Sequence, residues 1–494
     1  MPIRLRRLSF RSPAVLLVLF ALLLPAITAR LNASDEVEFF SWLRSWAFDR
    51  DADFTNEYQH FYDAGPLHNA GFHETFLERT NENGRPSNFT PVGTALLWAP
   101  FFAVGHLAAG LLGEAQDGYS RPYIRAVTIG SACYGLLALM LSQAMASRVL
   151  GASAGLATLL VWVGTPLLFY MYVAPGFGHA CSAFAVSLFL WTWIRIRGRW
   201  SLGGAVQLGL TGALLPMVRE QDVFFLAGPA LDWLVWTLAM RTPAPNAGAP
   251  AVPGRAPARP SSRGRDAGLF ALTGAAAFLL LYSVQLMAYV ALNGHPGPPQ
   301  MVARKMTWSA PHMVAVLVSS EHGFFVWTPL ALAALAGLVW LSLRRTGLPA
   351  SPAQTAPGRS TPPRDVRWIA LLALLMCLLQ AYISGSVESW TVAGSFGQRR
   401  FVALTPLLVL GTAALTECWA MTTSRRVTLA ALFTLCLWWN VGLMAQFGLH
   451  LMDRQQLTPG DNARITFLEL PHRLPSLAWR YLFHRESFFG LPRQ

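Results

Sequence analysis

Twelve apolar segments divide this sequence, and a chain so divided has few folds open to it. They run over residues 13–29, 92–112, 126–146, 156–173, 181–194, 202–218, 223–238, 269–292, 324–343, 368–383, 401–415 and 427–447. Inside a bilayer no water satisfies a backbone N–H or C=O, so each crossing segment must close its own hydrogen bonds as a helix. The expected fold class is therefore all-α, a polytopic membrane protein. With 53% hydrophobic and 13% charged residues the chain is too apolar for an ordinary soluble protein. Its net charge of +13 raises the question of nucleic acid. The arginines lie mainly at segment ends and in two linkers, where membrane orientation accounts for them, so no nucleic-acid partner is expected. The five cysteines fall in or beside apolar segments with no CxxC or Cys-His metal spacing, which indicates neither a disulfide frame nor a zinc site.

The arginines also give an orientation. Arg4, Arg6, Arg7 and Arg11 precede the first segment, which reads as an uncleaved anchor with the N-terminus in the cytoplasm. Arg195, Arg197 and Arg199, the two Pro/Ala/Arg-rich linkers, and the Arg425-Arg426 pair read as cytoplasmic too. Four segments lie between Asn88 in the first external loop and Arg195, and four crossings would return the chain to the outside. One segment must fail to span. The choice falls on 156–173, which Gly164-Thr165-Pro166 interrupts, because irregular backbone at membrane depth is tolerated only where protein or water surrounds it. The expectation is about eleven transmembrane helices plus one broken or re-entrant segment, with the C-terminus outside.

The resulting division is a cytoplasmic N-terminus and first helix (1–29), an external loop with surface helices (30–90) and a helix bundle (91–240). A disordered cytoplasmic linker (241–267) leads to further helices (268–343) with an external loop at 293–323. A second such linker (344–367) leads to the last helices (368–449) with an external loop at 384–400, and an external tail (450–494) follows.

The first polar segment packs Asp35, Glu36, Glu38, Asp49, Asp51, Asp53 and Glu57 into a chain otherwise poor in acids. Between Glu36 and Trp46, Val37, Phe39, Phe40, Leu43 and Trp46 recur at helical spacing, which predicts an amphipathic helix along the membrane surface with its acids facing water. Asp35 falls at or just before its first turn. A carboxylate there either caps the helix or serves as a general base.

A hydrophobic first segment, the Asp35-Glu36 pair, two surface helices and the step TPVGTALLWAPFF into the next segment resemble the GT-C superfamily of membrane glycosyltransferases. Within it the chain is similar to the bacterial branch related to protein O-mannosyltransferases and lipid A aminoarabinose transferases. The resemblance implies a GT-C-like fold in the bacterial inner membrane, with the active site facing the periplasm or exterior. It implies an inverting transfer of a sugar from a polyprenyl-phosphate donor to a hydroxyl of a lipid, glycan or protein. The base of the first external loop would be Asp35, with Glu36 beside it, and the implied partners are the lipid-linked donor, membrane lipid and that acceptor.

Several other polar groups reach the same face in this topology. His179, in VAPGFGHACSAF, opens a segment where the related enzymes often place an acidic or polar residue. It would bind phosphate, move a proton or only cap the helix. Lys305, the chain's one lysine, is a phosphate ligand or an interfacial anchor. SSEHGFFVWTP, with Glu321 and His322, resembles a pattern of the same branch and makes His322 a candidate contact for phosphate or acceptor. Arg399 and Arg400, after the Phe-Gly step of SGSVESWTVAGSFGQRRF, would chelate a phosphate or hold lipid headgroups. Arg219, Glu220 and Asp222 form a further cluster that mutual salt bridging explains. Asp51, Asp53 and Glu57 are secondary acids. Asp35 with Asp51 and Asp53 could hold a hard divalent cation, but no cofactor is assigned. The rival reading is a lipid or solute transporter with these charges as gates, against which stands the absence of two similar halves.

Overall fold

The computed structural model of the chain describes residues 13–65, 67–151, 154–198, 200–241, 260–344, 363–392, 394–419 and 422–484. The N-terminal arginines and residues 242–259 and 345–362 of the two linkers lie outside the described residues. Apart from two isolated bridges, Thr80 with Pro86 and Met306 with Val387, the regular structure described is helical. In chain order the main helices are α1 (Pro13–Leu23), α2 (Ser34–Arg44), α3 (Thr55–Asp63), α4 (Gly93–Leu112), α5 (Arg121–Leu150), α6 (Gly155–Gly164), α7 (Leu167–Tyr172) and α8 (His179–Ile196). They continue as α9 (Leu202–Val218), α10 (Ala227–Arg241), α11 (Pro260–Asn293), α12 (Leu330–Leu343), α13 (Pro363–Ser386), α14 (Thr405–Trp419), α15 (Thr423–Gly448) and α16 (Leu470–Phe483). Among the described residues seven helical stretches are long and apolar enough to cross a membrane, and α6, α9, α12 and a stretch built on α1 are shorter apolar helices. The protein is an all-α polytopic membrane protein.

Helices in hydrocarbon gain little from burying apolar surface against one another, so close backbone approach over small residues holds the bundle together. A Cβ on Gly337 of α12 would stand 1.9 Å from the Gly411 carbonyl oxygen of α14, and one on Gly411 2.1 Å from that of Ala334. At the α9–α11 crossing, a Cβ on Gly209 would lie 2.2 Å from the Gly274 oxygen.

The interruption at Gly164-Thr165-Pro166 is there. Thr165 is extended between α6 and α7, and Asn440 of α15 donates to the freed carbonyls of Val163 (2.7 Å) and Thr165 (3.2 Å). α5 ends at Leu150 beside Arg148, the chain returns through α6 and α7, and the Tyr172 carbonyl then accepts from Thr28 N, just past α1 (2.8 Å). α4, long and apolar enough to cross, is tied to α2 on both flanks. Trp42 donates to the Thr90 carbonyl before α4, and Arg44 donates to the Asp117 carbonyl after it. The expected interruption of 156–173 is thus present, and the ties of residues 90 and 117 to α2 make α4 a second candidate for the segment that does not cross.

Candidate active site

The expected first-loop helix exists as α2, continued by a π-helical turn over Ser45–Asp49. It is not a surface helix with its acids in water. Residues 36–43 are all buried, packed by α3, α4 and the turn at 175–177. Glu36 folds back to accept the backbone N–H groups of Asn32 (2.6 Å) and Ala33 (3.1 Å), which would otherwise be unpaired at the helix start. Burial pushes its carboxyl up to about 7 despite those bonds. A Cβ on Gly176 would press on Glu36 Cγ at 2.9 Å, so the Gly-Phe-Gly turn before α8 seats closely on α2. Glu36 therefore builds the site and does not face it. Asp35, one residue earlier, keeps its side chain 38% exposed.

Asp35 Oδ2 accepts from Arg399 Nη1 at 2.7 Å, across 364 positions of sequence. The segment before α14 carries Arg399 there. Gly397 takes φ +60, a conformation an L side chain resists, and a Cβ on it would meet Pro166 Cγ at 2.9 Å. The Arg399 guanidinium also lies over the Phe177 ring, 5.3 Å from its centroid. Arg400 points elsewhere, donating to the Ser389 carbonyl (2.9 Å) and Oγ (3.1 Å), and braces its own loop.

Beside Asp35 opens a cavity of about 520 Å³, lined by Ser34, Asp35, Glu38, Asn69, Phe72, Thr75, Phe76, Phe89, Thr90 and Lys305 among others. Its size and its mixture of aromatic walls with a few polar groups suit a sugar-sized ligand. Lys305 Nζ lies 5.5 Å over the Phe89 ring, and Lys305 is fixed by pairing of its strand-like segment with 386–388, the Glu388 N–H donating to its carbonyl at 2.8 Å. Glu38 is the residue that sequence reasoning missed. It stands one helical turn after Asp35 on the same face and accepts from the Phe89 N–H at 2.6 Å. Burial, with the neighbouring charge of Asp35, pushes its carboxyl well above the usual range. The i, i+3 spacing from Asp35 was the available signal.

His179, at the start of α8, is buried and receives a hydrogen bond at Nδ1 from Arg219. Arg219 makes no ion pair with Glu220 or Asp222, contrary to the sequence expectation. Asp222 accepts from Ser182 Oγ at 2.6 Å and Glu220 from the Tyr289 hydroxyl. His322 is fully buried, stacked on Trp327 at 4.7 Å with Nε2 2.8 Å from the Ser395 carbonyl; burial pulls its pKa down, and it braces the 394–397 turn. The secondary acids lie beyond the far end of α2. Asp51 takes Ser45 Oγ (2.8 Å), Asp53 caps α3 through Thr55, and Glu57 is buried against Arg44 at 3.0 Å. Asp51 and Asp53 are thus not gathered with Asp35, and among the described residues no three His, Cys, Asp or Glu side chains form a metal-holding group.

No family model matches the chain, and no curated protein matches it. Solved structures similar to it include two of ArnT from Cupriavidus metallidurans, one bound to undecaprenyl phosphate and one in the apo state. Each has a TM-score of 0.48, at 14% and 15% identity respectively, over 96% of this chain and 77% and 78% of theirs. With so few residues shared, the reading of function rests on this chain's own side chains.

Proposed function

We propose that the protein is an inverting glycosyltransferase that moves a sugar from a polyprenyl-phosphate donor to a hydroxyl of a lipid, glycan or protein acceptor at the external face of a bacterial inner membrane. The observation that carries this reading is the Asp35–Arg399 pair at the mouth of a polar, aromatic-walled cavity. Arg399 holds the base, donating to Asp35 Oδ2. A donor phosphate competes for that guanidinium and frees the Asp35 carboxylate, so the base becomes available when the donor arrives. The acceptor hydroxyl then attacks the anomeric carbon and its proton passes to Asp35. The bond from that carbon to the phosphate oxygen breaks, and the phosphate leaves with its charge held by Arg399 and Lys305. A phosphate is a good leaving group, so one base and electrostatic support suffice without a covalent nucleophile, and configuration inverts. Glu38, whose carboxyl burial pushes well above the usual range, lines the cavity one turn from Asp35 and faces the acceptor.

The test is radiolabelled polyprenyl-phosphate sugar presented to the protein in proteoliposomes. Wild type should release carrier phosphate and Asp35→Asn should not. Binding without release in wild type would sink the enzyme reading and favour a transporter.

A further inference from the structure

Arg219 ends α9 with no carboxylate at ion-pair distance among the described residues, and it spends its guanidinium on His179 Nδ1 instead. A guanidinium only donates, so Nδ1 must supply the lone pair and the imidazole proton sits on Nε2. That Nε2–H is buried and has no hydrogen-bond partner among the described residues. An unsatisfied buried donor is costly, and such an atom in a site calls for a ligand. The ring has little freedom to turn away. Tyr170 meets it edge-on at 4.4 Å, and Phe177 lies parallel to it at 6.0 Å. Phe177 is also the ring under Arg399, so one aromatic side chain joins His179 to the guanidinium that holds Asp35. Arg219, Arg399 and Arg400 interact electrostatically with one another here; among the described residues Asp35 is the carboxylate in ion-pair contact with any of the three, while Asp222 acts on Arg219 and Glu38 on Arg399 from beyond ion-pair distance. Three guanidinium groups with one carboxylate in direct contact, and an unused neutral donor, make a place for a further anion.

We infer that Arg219 and His179 form the second half of the phosphate site. Arg219 supplies charge, and by fixing the tautomer it turns His179 Nε2–H into a donor for a non-bridging phosphate oxygen. The inference rests on the donor-phosphate reading above and adds two residues to it from a different pair of helices, α8 and α9. It gives the leaving phosphate contacts on both sides: Arg399 from the segment before α14, Arg219 and His179 from the helix ends opposite. His179 thereby acts as a neutral ligand and not as an acid or base.

The experiment uses full-length protein in detergent, titrated with radiolabelled undecaprenyl phosphate, and with undecaprenol as the phosphate-free control. Arg219→Ala should weaken undecaprenyl phosphate binding roughly 10- to 100-fold, the loss of a hydrogen bond to a charged group. Arg219→Lys should recover only part, since a point charge does not reproduce the planar fork that holds both imidazole and phosphate. His179→Asn keeps an oxygen acceptor for Arg219 but lacks the Nε2–H, and should weaken binding about 10-fold. Undecaprenol should bind all of them alike. Wild-type affinity for undecaprenyl phosphate in both Arg219→Lys and His179→Asn overturns the inference and leaves the donor reading intact, whether or not Arg219→Ala folds. Equal binding of undecaprenyl phosphate and undecaprenol by the wild type removes the donor reading, and this inference with it.

Discussion

Two adjacent acids of α2 have opposite fates, and the difference is one of surroundings. Asp35 stays partly exposed against Arg399, whereas Glu36 turns inward to its own helix start. Asp35→Asn is nearly isosteric and should leave expression and unfolding temperature close to wild type while lowering turnover by roughly 10²–10⁴-fold, the usual contribution of a general base. Wild-type turnover in that variant would remove Asp35 from the mechanism. Glu36 makes a different, pH-linked prediction. Its folded carboxyl titrates at about 7 against an ordinary 4.5, so the folded state holds the proton more tightly. The resulting stabilisation is complete below the unfolded value and is lost as pH rises through that interval. The unfolding temperature in detergent should therefore fall between about pH 5 and pH 7, and Glu36→Gln should flatten part of the slope; an unchanged slope would show that Glu36 does not titrate there. Asp35 could be picked out from sequence because it heads the first helix after the first apolar segment. Glu38 could not, since the helical pattern put acids in water and gave no sign that residues 67–90 and Lys305 would cover that face.

The break between α6 and α7 shows how a local signal can be read in the sequence while the residue that answers it cannot. Gly164-Thr165-Pro166 announced an interrupted helix, but nothing near it in the sequence names Asn440, which lies 275 positions from Thr165 and satisfies the carbonyls the break exposes. Because this repair satisfies the backbone that the break exposes, Asn440 carries structural importance out of proportion to its contacts with the site. Asn440→Leu leaves two carbonyls unpaired at membrane depth and should cost about 1–3 kcal/mol, seen as a lower unfolding temperature. Catalysis per folded molecule should be kept. An unchanged unfolding temperature would mean that water or another side chain serves the break. The α12–α14 contact is similarly exacting. Gly411→Ala sets a methyl 2.1 Å from a backbone oxygen, so the helices must separate, and destabilisation should be evident by the same measurement.

At the scale of the whole molecule, the sequence established the number of apolar helices and the concentration of acids beside the first one, because both are local patterns. Parity required one segment not to cross, and the choice among four needed contacts between distant residues. α4 is apolar and 20 residues long, as a crossing helix should be, and carries exposed Leu107, Leu111 and Leu112. Yet Trp42 and Arg44 hold its two flanks. Length and hydropathy state that a helix can cross, while the tether of residues 90 and 117 to one short stretch of α2 is the reason to expect that this one does not. The two views separate cleanly in a labelling experiment. In a cysteine-free background, single cysteines at the exposed positions Asn83 and Gln116 flank α4. Both should react with an impermeant thiol reagent added from the outside, together with one at Glu388, whereas cysteines at Pro250 and Gln354 in the linkers should react only after permeabilisation. Protection of Gln116→Cys with labelling of Asn83→Cys would make α4 a crossing helix and return the failed crossing to α6–α7. Labelling of Pro250→Cys from outside would invert the bundle and place Asp35, Arg399 and the cavity on the cytoplasmic side, where an externally presented lipid-linked donor could not reach them.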